Sequence, residues 1–216
     1  MLNRGNVIVF TSSGRLSGDF SYLDDNNVRP FSEETLVSVI RLQQRRIELL
    51  KRRSERSGNK VMLPPLLICL DDPQSYSHRS TDGGKSAFHS KAVEFLYTVG
   101  RHYRISLYCN IQHSTSLLNV ACRNQTTHLL MSSMSTESLR ACYKLIDGVA
   151  SFQQFARMVA SLHEHCFLLF DTTRPAGQRF RYVRAPGFGK FLVRIAAPPS
   201  SKKAKEAKKK TGKANE

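Results

Sequence analysis

The feature that most constrains the fold is a run of apolar residues that ends abruptly in two acids. Residues 66–70 read LLICL, and Asp71, Asp72 and Pro73 follow directly. A strand without polar alternation is typical of a parallel sheet that is covered on both faces. Ligands of such sheets bind outside the carboxyl ends of the strands, so the two carboxylates could hold Mg²⁺ and polarise a water there. The alternative is that these three residues only form a turn that ends the strand.

Other apolar runs alternate with amphipathic segments along the 216 residues. Strands are predicted at residues 7–10, 105–111, 127–131 and 166–170. Helices are predicted from Ser32 to just before Gly58, and at residues 86–98, 117–122, 136–146 and 152–162. An antiparallel hairpin is predicted at residues 179–195. The alternation predicts an α/β fold with a mainly parallel sheet flanked by helices, in one domain over residues 1–197 with a disordered basic tail over residues 198–216.

The chain is strongly basic, with 33 Lys and Arg against 17 Asp and Glu and a formal net charge of +16. A polyanionic partner is therefore expected, with nucleic acid ahead of an acidic membrane. The candidate DNA-binding residues lie on the first long helix and in the tail, and they are Arg45, Arg46, Lys51, Arg52, Arg53, Arg56, Lys202, Lys203, Lys208, Lys209 and Lys210. We expect them to bind double-stranded DNA without sequence preference. The alternative is that the charged helix face is only solvated.

Several classes of protein are excluded by what the sequence lacks. No apolar run approaches the roughly 18 residues of a membrane span, so no membrane partner is expected. The five cysteines are spaced neither as a disulfide framework nor as a zinc knuckle, which favours reduced thiols in an intracellular compartment. A serine hydrolase is not supported either, because no G-x-S-x-G motif is present.

The sequence contains no complete phosphate loop. Residues 82–86 read DGGKS, but the motif G-x-x-x-x-G-K-[ST] would need glycine at position 79, which is Arg79. The segment also follows a hydrophilic stretch rather than a buried strand. We therefore interpret it as a turn near the start of a helix.

Two polar side chains follow the strand predicted at residues 105–111. Gln112 comes directly after that strand, and Arg123 follows a short helix. An amide beside the aspartate strand could hold a water or a phosphate oxygen, and an arginine could stabilise phosphate charge. The alternative is that Gln112 caps the following helix and that Arg123 is solvated.

The order of these pieces resembles a known family of motors. Further matching pieces are VIVFTSSG at residues 7–14, residues 19–23, a helix that opens FSEETL and contains Gln43 and Gln44, and GRHYRIS at residues 100–106. Together with the Asp-Asp strand, Gln112 and the Arg-Asn pair at 123–124, they resemble the poxvirus-type genome-packaging ATPases of large DNA viruses. That family belongs to the FtsK–HerA superfamily of RecA-like motors. The resemblance covers roughly residues 7–171.

The resemblance implies a role for each candidate site residue. Asp71 matches the Walker B aspartate associated with Mg²⁺, and Asp72 takes the place of the acid that activates water. Gln112 matches the sensor glutamine, and Arg123 matches an arginine with a sensing or finger role. ATP and Mg²⁺ are the implied cofactors. The implied assembly is a homo-oligomeric ring on double-stranded DNA, inside a cell, in a viral factory or in a virion.

The chain departs from the family at its start. The family begins with a strand, a glycine-rich phosphate loop and a helix, whereas here a strand resembling the family's second begins six residues after Met1. The resemblance therefore implies a RecA-like P-loop NTPase fold without its first strand and Walker A segment, which is not expected to hydrolyse ATP alone. The alternative is a non-catalytic, basic DNA-binding protein on the same scaffold that docks on an intact motor subunit.

The resemblance also places the missing strand between two strands of this chain, those at residues 105–111 and 127–131. We therefore predict that these two strands pair directly, or that the isolated protein is unstable and aggregates.

Overall fold

The computed structural model describes residues 4–11, 20–72, 90–111, 120–149, 151–185 and 192–194. The chain divides into two compact units, Met1–Gln125 and Thr126–Glu216. Within the described ranges, no helix is long and apolar enough to cross a membrane. The proposed tail at residues 198–216 lies outside these ranges.

The first unit is built on a four-stranded parallel sheet. Its strands are β1 (Val7–Phe10), β2 (Val28–Arg29), β3 (Leu66–Asp71) and β4 (Ile105–Asn110), in the order β2-β1-β3-β4. All six residues of β3 are in register with the six of β4. The buried parallel strand predicted at LLICL is therefore confirmed.

Among the described residues, the first unit contains the helices α1 (Glu33–Ser57), α2 (Lys91–Thr98) and α3 (Val120–Gln125). The predicted bounds of α1 are confirmed, since the Ser32 hydroxyl accepts a hydrogen bond from the Thr35 N–H and Gly58 ends the helix at φ 66°. Helix α2 begins later than predicted, because Ser90 is its N-cap. Helix α3 extends to Gln125, three residues beyond its predicted end.

Helices α1 and α2 cover one face of this sheet. The buried side chains of Phe10, Ile68 and Leu70 pack there against Leu36 of α1 and Val93 of α2. The two helices also meet through polar groups, since the Ser90 hydroxyl that caps α2 donates to the Glu33 carboxylate at 2.9 Å. This shared core holds both helices against the same face of the sheet.

The second unit contains a different sheet, which is antiparallel. Its elements are β5 (His128–Met131), α4 (Thr136–Tyr143), α5 (Phe152–Ala160), β6 (Cys166–Asp171), β7 (Phe180–Arg184) and β8 (Leu192–Arg194). The strand order is β5-β6-β7-β8, and every neighbouring pair is antiparallel. The predicted hairpin is confirmed as β7 and β8. The core of this unit is centred on Met131, Phe155 and Leu168.

The antiparallel pairing of β5 and β6 was not predicted. Alternation of strands and helices indicates a parallel pair when a single helix connects two strands. Here two helices connect them, and the second returns the chain to the end at which β5 finished. The next strand then runs in the opposite direction.

The predicted direct pairing of the strands at residues 105–111 and 127–131 is wrong. Within the described ranges, β4 pairs with β3 and β5 pairs with β6, in separate sheets. The other part of that prediction, instability of the isolated protein, stays a prediction.

Candidate active site

Three polar side chains meet where the parallel strands end. The Thr11 hydroxyl donates to one oxygen of Asp71 at 3.0 Å, and the Asn110 amide donates to the other oxygen at 3.0 Å. Thr11 directly follows β1, Asp71 ends β3 and Asn110 ends β4. The carboxylate is therefore held from both sides at the carboxyl edge of the sheet, where ligands of open α/β sheets bind.

The backbone explains why these three residues coincide. Asp71 and Asn110 are directly opposite in the register of β3 and β4. The Thr11 N–H donates to the Arg29 carbonyl at 3.0 Å, which continues the pairing of β1 and β2 by one residue. Sequence reasoning missed both Thr11 and Asn110, although each stands at the end of an apolar run beside the aspartate strand.

Asp72 marks a sharp change in the backbone. It has a φ of 46°, in the left-handed region, and its side chain is half-buried. Aspartate tolerates that region better than most residues, because its short side chain can form local hydrogen bonds. The strand therefore ends at Asp71, and the predicted role of Asp72 in activating water stays a prediction.

The other two predicted site residues are located only in part. Gln112 lies outside the described ranges, one residue after Ile111. Arg123 lies in α3, and the position of its side chain is not described. The structure thus brings Thr11 and Asn110 to Asp71, and the predicted roles of Gln112 and Arg123 stay predictions.

The strands behind Asp71 carry thiol and phenol groups in an apolar setting. Burial, with a contribution from the charge of Asp71, raises the pKa of Cys69 to about 11. Burial raises the pKa of Cys109 to about 12, and it also raises the pKa of Tyr108, to which Cys69 and Asp71 contribute. Because only the thiolate is a good nucleophile, these cysteines are not candidates for covalent catalysis.

The Asp71 carboxylate and the Thr11 hydroxyl supply oxygen, the hard ligand that Mg²⁺ prefers. The Asn110 amide faces Asp71 with its nitrogen, which donates to the carboxylate and is not a metal ligand. Within the described ranges, no group of three or more His, Cys, Asp and Glu side chains could form a metal cage. Mg²⁺ bound to a nucleotide needs no such cage, because one or two carboxylates, waters and phosphates complete its shell. The residues present therefore fit a nucleotide-bound Mg²⁺.

The predicted DNA-binding residues of α1 divide between two sides of the helix. Arg45, Arg46, Arg52, Arg53 and Arg56 are exposed and share one side with Leu42 and Leu49, and we call these seven residues the basic flank. Both leucines are exposed, at 68% and 56%. By helical spacing, Lys51 instead lies on the side of Glu48 and Glu55. The tail lysines from Lys202 to Lys210 lie outside the described ranges.

The arginines of the basic flank form no ion pair with the acids that the structure describes, because every ion pair among those residues involves other side chains. Leu49, Arg52, Arg53, Arg56 and Ser57 line one open depression. Exposed guanidinium groups without an ion pair are available to phosphate.

A buried carboxylate that sequence reasoning missed lies in the second unit. Asp171 ends β6 and accepts hydrogen bonds from Arg181 at 2.8 Å, Arg174 at 3.1 Å and the Thr173 hydroxyl at 2.5 Å. His128 lies 3.5 Å away. The hydrogen bond from the Thr173 hydroxyl contributes most to lowering the pKa of Asp171, against the opposing effect of burial. The Thr173 N–H, the charge of His128 and the hydrogen bond from Arg174 lower this pKa further. These contacts join β5, β6 and β7 and give Asp171 a structural role.

No protein-family model and no curated protein matches the chain. Among solved structures, it is similar to the genome packaging NTPase B204 from Sulfolobus turreted icosahedral virus 2 in complex with AMPPCP, with 14% identity and a TM-score of 0.50 over 84% of this chain and 82% of that chain. The fold is shared with genome-packaging NTPases.

A second neighbour is the cytoplasmic domain of the type VII secretion ATPase EccC from Thermomonospora curvata. It has 15% identity and a TM-score of 0.47 over 86% of this chain and 22% of that chain. The likeness to B204 supports the predicted fold class, which is α/β with a mainly parallel sheet flanked by helices, and the parallel sheet observed in the first unit has four strands.

Proposed function

We propose that this chain is the Walker B to sensor portion of a DNA-packaging motor ATPase. The observation that carries the proposal is the carboxylate of Asp71, held by Thr11 and Asn110 at the carboxyl edge of a parallel sheet. The shared fold supports an NTPase scaffold, and B204 is itself a genome packaging NTPase. The intact motor would act as a homo-oligomeric ring on double-stranded DNA inside a cell, in a viral factory or in a virion.

Each candidate residue has a place in this proposal. Asp71 would hold Mg²⁺, which on binding with ATP neutralises phosphate charge. Thr11 and Asn110 fix the direction of the Asp71 carboxylate before a nucleotide arrives, so that no reorganisation is needed on binding. Asp72 would orient the attacking water and accept its proton. Gln112 and Arg123 would respond to the terminal phosphate.

ATP turnover by these 216 residues alone should be undetectable. No segment of the sequence matches G-x-x-x-x-G-K-[ST], so the backbone cradle and lysine for the β- and γ-phosphates are not supplied here. A steady-state phosphate-release assay measures this. Robust hydrolysis that Asp71→Ala abolishes would show that another loop performs that role.

The Mg²⁺ site is tested separately from turnover. With ATP present, Mn²⁺ in place of Mg²⁺ should broaden the NMR amide signals of Thr11, Asp71 and Asn110. Asp71→Asn should remove that broadening, whereas Asp24→Asn, which changes an exposed aspartate of the same unit, should leave it intact. Broadening that persists in Asp71→Asn, or that centres elsewhere, would contradict the proposal.

A second candidate function has its own supporting observation. The basic flank of α1 presents five exposed arginines without an ion pair among the described residues. This favours a non-catalytic DNA-binding protein on a motor scaffold that docks on an intact motor subunit. The Mn²⁺ experiment separates the candidates, because this second function requires no metal at Asp71.

A further inference from the structure

Two exposed leucines lie in the middle of the basic flank of α1. Leu42 and Leu49 are 68% and 56% exposed, and their spacing of seven residues places them on one line along the helix. Arginines follow each leucine after three and four residues, on the two sides of that line, and they are Arg45, Arg46, Arg52 and Arg53. An apolar line with charged residues on both sides is a pattern by which helices select partner helices.

These leucines do not contribute to the packing of α1 on its sheet. The buried residues of the helix are Leu36, Val39, Ile40, Gln43 and Ile47. By helical spacing, Leu42 and Leu49 lie on the opposite side, and neither belongs to the described core of the first unit. Single exposed leucines are ordinary on protein surfaces, but two on one line within one charge pattern form a contiguous surface.

Charge indicates that the partner surface comes from another molecule. The arginines of the flank pair with none of the described acids. Residues 126–216 hold sixteen Lys and Arg against six Asp and Glu, and none of the segments outside the described ranges has more acidic than basic residues. A second copy of the chain would bring arginine against arginine, in either relative direction of the two helices. The partner is therefore a different, acidic molecule.

The leucines distinguish an acidic protein from DNA as that partner. The arginines alone suit any polyanion, including the phosphates of a duplex. Contacts to phosphate gain nothing from an apolar side chain between the arginines, whereas a protein helix can bury both leucines. The pattern of Leu42 and Leu49 within the arginines therefore favours a protein helix.

We propose that the basic flank binds an acidic amphipathic helix of another protein. That helix carries leucine or isoleucine at every seventh position and aspartate or glutamate on both sides of this line. Its apolar side chains pack on Leu42 and Leu49, and its carboxylates pair with the arginines of the flank. The inference goes beyond both candidate functions, because it requires neither a nucleotide at Asp71 nor DNA.

The probe is a synthetic peptide of about 21 residues, with leucine at every seventh position and glutamate three and four residues after each leucine. It carries a fluorescein label, and anisotropy measures its binding to the full chain at physiological ionic strength. A surface with only two leucines predicts a dissociation constant on the order of 10 μM. Since an isolated peptide of this length is only partly helical, circular dichroism should show that its helicity rises on binding.

A second peptide of identical composition separates the helix pattern from charge. Its leucines are distributed around the helix instead of along one line, while its net charge is unchanged. It should bind about tenfold more weakly than the first peptide, because it cannot bury both leucines of the flank together.

Leu42→Ala with Leu49→Ala tests the surface on the protein side. Alanine retains the helix, and the double variant should bind the first peptide about tenfold more weakly. Met62→Ala is the matched control, since it truncates an apolar side chain that is 90% exposed outside α1, and it should leave peptide binding unchanged. The affinity of the double variant for duplex DNA should stay within about twofold of wild type, because the arginines remain.

Reversal of charge tests the arginines of the flank. Arg46→Glu with Arg53→Glu should weaken binding of the acidic peptide by about tenfold or more. A peptide with lysine in place of the glutamates on one side of its leucine line should bind this variant more tightly than it binds wild type.

Several outcomes would overturn the proposal. Equal affinities for the two peptides of identical composition would show that charge alone is recognised. An equal loss of DNA and peptide binding in the double leucine variant would identify DNA as the ligand of the whole surface. Self-association of the chain that the leucine substitutions abolish, seen by sedimentation, would identify a second copy as the partner. All peptide measurements omit nucleotide, Mg²⁺ and DNA, so a failure of either candidate function leaves them unaffected.

Discussion

At the scale of single residues, the two carboxylates described in detail are held by different kinds of partner. Asp71 is held by the neutral donors of Thr11 and Asn110. Asp171 has charged donors as well, Arg174 and Arg181, beside the neutral hydroxyl and N–H of Thr173. The arginines compensate the charge of Asp171, whereas the two hydrogen bonds described for Asp71 come from neutral groups. The charged partners therefore suit Asp171 to a structural role.

Thr11→Val should leave the Asp71 carboxylate less firmly held, while the volume of the side chain at position 11 changes little. The substitution removes the hydroxyl that donates to the carboxylate, and we expect a loss of about 1 kcal/mol in the free energy of unfolding. Urea denaturation measures this loss, with Thr11→Ser as a control that keeps the hydroxyl. A Thr11→Val protein that is as stable as wild type would show that the hydrogen bond contributes nothing.

Asp171→Asn should destabilise the protein in a manner that depends on pH. The substitution leaves Arg181 without its buried countercharge, so the free energy of unfolding should fall by about 3 kcal/mol at neutral pH. The folded pKa of Asp171 lies below its ordinary value of 3.8, so its contribution is present above that pH and is lost as pH falls through the folded pKa. The difference in the free energy of unfolding between wild type and variant should therefore shrink below a pH of about 4. Thermal unfolding measured over a range of pH tests this. A difference independent of pH would contradict this account.

The sequence allows only part of the residue-scale site to be predicted. Asp71 could be found because an uninterrupted apolar run ends there. Thr11 and Asn110 could not be assigned, because their contact with Asp71 depends on the register of three strands that are distant in sequence. Asp171 also follows an apolar run, but its arginine partners lie beyond a turn and on the next strand.

At the scale of elements, the buried side-chain amide of Gln43 joins helix α1 to the segments that precede β3 and β4. The Gln43 side chain donates to the Pro64 carbonyl just before β3 and to the Tyr103 carbonyl just before β4, each at 3.0 Å. A buried carbonyl without a donor is costly, so this side chain fixes the helix in place. It thereby helps to align the starts of both strands.

Gln43→Leu should therefore destabilise the first unit by about 2 kcal/mol, although it adds apolar surface to the core. Gln44→Leu, at the adjacent and less buried position, is the matched control and should change stability much less. Chemical denaturation followed by circular dichroism compares the two variants. Equal effects would mean that the two hydrogen bonds of Gln43 do not matter.

The elements themselves were largely predictable from local signals. Helix α1 has a serine cap, two early glutamates and a terminal glycine, and its bounds follow from these residues alone. The direction of β6 did not follow from local signals, because it depends on how two successive helices pack. Local chemistry determines where an element begins and ends, and packing determines how strands pair.

At the scale of the whole molecule, charge is the property with the broadest consequence. The net charge is +16, and the segment from Ser200 to Glu216 carries seven lysines and two glutamates. Binding to duplex DNA should weaken steeply with salt, with a log–log slope near −0.9 for each neutralised phosphate. Deleting residues 200–216 should make that slope shallower. An affinity that does not respond to salt would contradict this prediction.

The basic flank should contribute to that binding more than basic residues outside it. Arg46→Ala with Arg53→Ala should weaken binding and make the slope shallower by about 2. Lys51→Ala with Lys91→Ala removes the same charge from exposed positions outside the basic flank and should have a smaller effect. Fluorescence anisotropy on several unrelated duplexes measures both, and the loss should be the same for every sequence. Equal losses of affinity for the two double variants would indicate that binding depends only on the net charge of the protein.

The half-buried thiol of Cys109 has a practical consequence for following the motions of β4. Burial raises its pKa to about 12, so very little of this thiol is ionised at neutral pH while β4 remains in place. An alkylating reagent should therefore mark Cys109 almost entirely in molecules whose strand has transiently separated. The rate at which Cys109 is alkylated then measures how often β4 opens. A partner that stabilises β4 would slow the alkylation of Cys109, whether or not that partner binds a nucleotide.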